Sequence, residues 1–164
     1  MKIVQNMKLT ALLPFLLMAL LLGTSCSQRY ANRLANHRNT LSQMASSKTA
    51  THEQKMDALA NSLVTMMHES LDLINPKKSV QYVQDYANQN EASINAIFKD
   101  LDGWQNSMNP AEKLSFALNA TKKPYTKDLV SLLPRFEKKF KTIAFVGRLT
   151  GKLTKGITGL LFKL

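Results

Sequence analysis

The chain has 164 residues, one cysteine and a formal net charge of +11, with 45% of its residues hydrophobic and 20% charged. A single cysteine excludes an internal disulfide and any cysteine-rich metal cluster, and the length suits one domain with a real core. The basic excess points to an anionic partner, but it is unevenly placed. Nine Lys/Arg balance nine Asp/Glu between Cys26 and Thr121, whereas Lys122 to Leu164 holds eleven Lys/Arg against only Asp128 and Glu137.

The first 25 residues have the parts of a secretory signal. Lys2 and Lys8 form a positive start, Leu9 to Leu22 is apolar apart from Thr10, and small residues Gly23-Thr24-Ser25 follow. An apolar run of about 14 residues is short of the roughly 20 that a spanning helix needs, and Pro14 interrupts it. The stretch therefore reads as a cleaved export signal, with either an ordinary signal peptidase or lipoprotein processing acting at Ser25-Cys26.

The context Leu22-Gly23-Thr24-Ser25-Cys26 resembles the lipobox of bacterial lipoprotein precursors, with Gly23 where leucine is usual and Leu22 one place earlier. The resemblance covers residues 1–27 only. It implies that Cys26 becomes the first mature residue and carries covalent lipid, with no other cofactor, and that the protein sits in the bacterial envelope, the outer membrane being favoured. A lipidated Cys26 leaves no thiol for other chemistry.

The mature region is expected to be all-α, a small bundle of four or five helices ending in a basic amphipathic helix. Residues 26–50 form the lipidated N-terminus, with 28–44 either a first helix bearing Ala31, Leu34, Leu41 and Ala45 or a tether. Residues 51–144 form the helical domain. Thr51-His52-Glu53-Gln54 fits a capping box, and Met56, Leu59, Ala60, Leu63, Met67, Leu71 and Ile74 recur at helical spacing until Asn75-Pro76. Val80, Val83, Ala87, Ile94, Ile97, Phe98 and Leu101 mark the next helix, with a bend or break expected at Asn88-Gln89-Asn90 and a turn at Asp102-Gly103-Trp104. Asn109-Pro110-Ala111-Glu112 starts a short helix faced by Leu114, Ala117 and Leu118. Pro124 opens another, and Pro134 is expected to restart or kink the chain toward Phe136, Phe140 and Ile143. Short loops predict antiparallel neighbours.

Residues 145–164 are distinct. Phe145, Leu149, Leu153, Ile157, Leu160 and Leu161 alternate with Arg148, Lys152, Lys155 and Lys163, and four of the six glycines lie between Gly147 and Gly159. At roughly 1 kcal/mol per interior glycine, such a helix needs a surface to form against. Three surfaces suit it: the domain's own core, an anionic lipid surface, or a partner envelope protein approaching closely at Gly147 and Gly151. The expected contact residues are the ten alternating residues just named.

Sequence spacing offers little for catalysis. His68, Glu69 and Asp72 share a helical turn, but a zinc-protease motif would need histidine at 72. Tyr82 and Tyr86 either present an aromatic platform or line an interhelix groove, and Trp104 is expected to plug the core. With no phosphate loop, nucleophile elbow or paired carboxylates, the reading is a non-enzymatic envelope lipoprotein. Its basic end contacts anionic membrane or envelope components, or docks it as an accessory subunit on a larger complex. Neither nucleic acid nor a small-molecule substrate is expected.

Overall fold

The structure, a computed structural model, describes residues 28–161, with side chains described as far as residue 154. Among these residues there are six helices and no strand: α1 (28–46), α2 (His52–Asp72), α3 (Pro76–Ser107), α4 (Pro110–Thr121), α5 (Pro124–Phe140) and α6 (Ala144–Leu161). The all-α class is as expected, while six helices exceed the expected four or five. The first stretch is helical over all its described residues, and α5 and α6 are separate helices joined at Lys141-Thr142-Ile143. The chain divides into two units, residues up to Asn36 and a compact unit from His37 onward. Of the first unit, residues 28–36 are described and are helical.

Local chemistry sets the helix starts of the compact unit. The Thr51 hydroxyl accepts from the Gln54 amide at 3.2 Å, and the Gln54 side chain accepts from the Thr51 amide at 2.9 Å. Asn75 caps α3 by accepting from the Lys77 and Lys78 amides, with Pro76 at the first helical position. Asn109 and Glu112 form the reciprocal pair at α4.

Three expected interruptions are absent. At Asn88-Gln89-Asn90, helix α3 continues because Asn90 turns inward and donates to the Tyr86 carbonyl at 2.8 Å. It also passes through Gly103, where a Cβ would meet nothing within 4 Å and the backbone is not in the left-handed region. Pro134 lies inside a continuous α5, on its exposed side, where water can serve the carbonyl that a proline nitrogen cannot. On α4 the buried side is Phe116 and Ala117, whereas Leu114 and Leu118 are 39% and 51% exposed.

The core lies between two helical hairpins. Lys55–Asp100, Ser62–Tyr86 and Ser79–Ser70 contacts run in opposite order along α2 and α3, which are therefore antiparallel. Helix α5 runs parallel to α2. Asp57, near the start of α2, meets Lys123 and Tyr125 at the start of α5, and Ser70 and Leu71, near the end of α2, meet Lys139 near the end of α5. Helix α6 likewise runs parallel to α3, with Arg148 on Glu91 and Lys152 on Asn95. The second hairpin is laid along the first in the same direction, so neighbours in space are not all antiparallel. Leu63, Met66, Met67, Val83, Ile94, Ile97, Phe136, Phe140 and Val146 fill the space with almost no exposure.

One end of the α2–α3 pair is clamped by charge. The buried Lys55 ammonium donates to Asp100 at 2.7 Å, with His52 3.8 Å from the same carboxylate. That hydrogen bond holds the Asp100 carboxyl below its ordinary range. Because Asp100 remains 40% exposed, water screens the pair, and Asp100→Asn should cost about 1 kcal/mol at pH 7. A depressed carboxyl stabilises the fold above its unfolded value of about 3.9 and loses that contribution as pH falls through the lower folded value. The stabilities of the two proteins in urea denaturation should therefore converge as pH falls through that lowered value; a gap that widens with acid would contradict this.

Candidate interaction surface and buried polar network

The expected contact residues divide by position. Phe145, Leu149 and Leu153 are buried at 4%, 2% and 8% exposure, turned toward the chain's own core, since α6 packs on α3, α4 and α5. Tyr86 and Phe145 rings lie 6.2 Å apart, part of that packing. Arg148 and Lys152 are exposed but engaged. Arg148 forks onto Glu91 with bonds of 2.8 and 3.0 Å, a bidentate geometry that fixes its plane. Lys152 donates to Asn95 at 2.7 Å and stands 5.2 Å from the Phe98 ring centre. Helix α6 extends to Leu161, but the side chains of Lys155, Ile157, Leu160 and Leu161 lie outside the described residues, as do Lys163 and Cys26. Of the three surfaces open to α6, its described half uses the domain's own core. Gly147 and Gly151 face open space, with nothing within 4 Å of a built Cβ.

Unengaged charge lies instead on α5 and the turn before it. Lys122, Lys127, Arg135, Lys138 and Lys141 are exposed and make no ion pair or hydrogen bond among the described residues. The neighbouring cations are committed elsewhere. Lys123 holds Asp57 at 2.8 Å, and that bond raises its pKa. Lys139 donates to the Ser70 and Leu71 carbonyls at 3.1 and 3.3 Å, a cation placed on the negative end of α2. The inner side of α5 is apolar, with Leu129, Leu132, Phe136 and Phe140 buried. Tyr125 is buried beside them and donates to Asp57 at 2.9 Å; burial, then the adjacent carboxylate, pushes its phenol upward.

A second feature is a polar chain inside the core that sequence spacing does not announce. His37 Nδ1 lies 2.8 Å from Ser62 Oγ, which lies 2.8 Å from the Tyr86 hydroxyl. On the other side of the ring, His37 Nε2 faces Glu69 at 3.8 Å, and the Tyr82 hydroxyl donates to that same carboxylate. The Ser62 hydroxyl, one donor and one acceptor, lies between the His37 ring nitrogen and the Tyr86 hydroxyl and can donate to one while accepting from the other. Burial pushes the Tyr86 phenol upward, partly opposed by the Ser62 bond, which keeps it a donor.

Serine, histidine and glutamate in this order suggest a nucleophile and its base. The arrangement differs in access: His37, Ser62, Tyr82 and Tyr86 are 8%, 6%, 1% and 0% exposed, and Tyr86 occupies the far side of the serine oxygen. An acyl group would need that space. The network therefore ties α1, α2 and α3 together, and Tyr82 and Tyr86 line their interface rather than form an outer platform. His68 is exposed while Glu69 turns inward, so the two do not converge with Asp72. Among the described residues no group of three or more His, Cys, Asp or Glu could hold a metal ion.

Trp104 is half-buried at the surface, stacked on His52 at 4.7 Å and edge-on to Phe116 at 5.0 Å. It joins α3 to the start of α2 and to α4. The depression beside it, lined by His52, Ala96, Lys99, Asp100, Gly103 and Trp104, is shallow.

No protein-family model, curated protein or solved structure matches the chain.

Ser62→Ala removes the partner shared by His37 and Tyr86 in a dry site, and a loss of about 2 kcal/mol is expected in urea denaturation. A change under about 0.5 kcal/mol, within ordinary surface scatter, would contradict the network's role in joining the helices.

Proposed function

We propose that the protein is a non-enzymatic lipoprotein of the bacterial cell envelope, tethered through lipid on Cys26, whose basic C-terminal third touches anionic envelope components. The observation that carries this reading is the pairing of an apolar, signal-like segment that leads into the protein's one cysteine with a C-terminal third in which Leu129, Leu132, Phe136, Phe140, Phe145 and Leu149 are buried while unengaged cations of α5 are exposed. Anchoring is physically sufficient. Each buried methylene contributes about 0.8 kcal/mol and one chain binds marginally, so a multiply acylated cysteine would hold the protein durably. No helix of the described residues is long and apolar enough to cross a membrane, so a lipid at Cys26 would supply the attachment without one.

The test is mass spectrometry of the intact protein with membrane fractionation. Wild type should carry acyl mass on Cys26 and sediment with membranes, and Cys26→Ser should lose both properties. An unacylated wild-type protein recovered in the soluble fraction would overturn the anchor.

A further inference from the structure

We infer that the outer face of α5, rather than the described half of α6, is the surface that docks on membrane, and that its partner is a planar anionic phospholipid surface. The inference rests on the proposed envelope location and names the partner of its basic region. At 100° per residue, Lys127, Val130, Pro134, Arg135, Lys138 and Lys141 fall within about 80° of one line along α5 and its C-cap. Every one of them is exposed, Val130 by 57%. The opposite side is the buried seam of Leu129, Leu132, Phe136 and Phe140, so the helix cannot rotate its cations away.

The pairing of charges separates α5 from α6. Arg148 and Lys152 of α6 are held by Glu91, Asn95 and Phe98 and are committed to the fold. The four cations of the α5 line have no partner among the described residues, and the acids of the helix, exposed Glu137 and half-buried Asp128, stand at its two edges. Removing lipid contact from α6 and assigning it to α5 thus requires no internal bond to break.

Shape and chemistry select the ligand. From Lys127 to Lys141 the line is about 21 Å long at the helical rise, and its cations are exposed on the outer side of one continuous helix. Three of its four cations are lysines, which act as point charges and do not supply the paired forks of specific phosphate recognition. A ridge of separated charges fits many headgroups in one plane. Val130 and Pro134, apolar and exposed between the lysines, suit the interface below them. The attraction should be screened by salt, since the Debye length is about 8 Å at physiological strength.

The experiment uses the full acylated chain reconstituted in vesicles, with a fluorophore on Ser131→Cys in the middle of the line and, separately, on Gln89→Cys on the exposed side of α3. Acylated Cys26 takes no label, and a chain found unacylated is labelled in the Cys26→Ser background. Vesicles are pure phosphatidylcholine or contain 30% phosphatidylglycerol, both with a headgroup nitroxide quencher. Quenching at Ser131 should be strong only with phosphatidylglycerol, weak at Gln89, and lost in 0.5 M salt. Lys127→Gln/Arg135→Gln/Lys138→Gln should lower the docked-to-free ratio roughly a hundredfold, at about fivefold per charge. Lys48→Gln/Lys99→Gln/Lys113→Gln, an equal charge loss away from α5, should leave it near wild type. Equal quenching at both labels, equal quenching in both lipids, or equal effects of the two triple variants would overturn the inference. Failure of the anchor is read separately, as release from phosphatidylcholine vesicles; Ser131 quenching confined to anionic vesicles would then still support α5 docking. Binding of the α5 line to a soluble polyanion such as polyglutamate, with no quenching on anionic vesicles, would assign the line to another partner and overturn the lipid proposal.

Discussion

Alignment of α5 along α2, in the same direction and pinned at both ends, determines where the charge of the C-terminal third comes to lie. At the start of the seam Asp57 takes Lys123 and Tyr125; at its end Lys139 takes the last carbonyls of α2. Between them Leu129, Leu132, Phe136 and Phe140 are removed from water, each such side chain contributing about 1.5–3 kcal/mol on full burial. The polar pins fix the observed direction, since Asp57 meets Lys123 and Tyr125 at one end of α2 while Lys139 meets the carbonyls at the other. The apolar stripe selects rotation. Together they leave one face of α5 outward, and it is the face with the unpaired cations.

Helix α6 follows from that placement. With α5 parallel to α2, a short turn returns the chain along α3, where Glu91 and Asn95 meet Arg148 and Lys152. Phe145, Val146, Leu149 and Leu153 then complete the core. Glycine lowers the intrinsic stability of such a helix, and tertiary packing compensates, as it does for most helices in proteins. The chain's basic end is thereby divided into cations that hold the fold together and cations that remain available.

The helix starts were legible because capping is local: Thr51 with Gln54, Asn75 with Pro76 and Asn109 with Glu112 each satisfy a geometry that a few residues determine. Breaks were less legible. Asn90, Gly103 and Pro134 look like interruptions in one dimension, yet the first is accommodated by an inward hydrogen bond and the others by facing open solvent. Leu114 and Leu118 matched a helical stripe but Phe116 took the buried side, since its ring reaches Trp104. The buried His37–Ser62–Tyr86 chain had no sequence signature, because its members come from three helices and meet only after packing. Charge asymmetry was plain from composition. Its assignment to α5 instead of α6 required knowing which lysines the fold consumes.

From Lys122 to Thr154 the C-terminal third is folded onto the body without any external surface. Amide hydrogen exchange of the full chain, followed residue by residue with and without anionic vesicles, is the measurement that bears on this. Amides of residues 129–153 should exchange slowly in the absence of lipid, with protection within about tenfold of that in α2 and α3, as expected for one cooperative unit, and lipid should change them little. Exchange at unstructured rates in this segment until anionic vesicles are added would mean that the surface, and not α2 and α3, is what folds it.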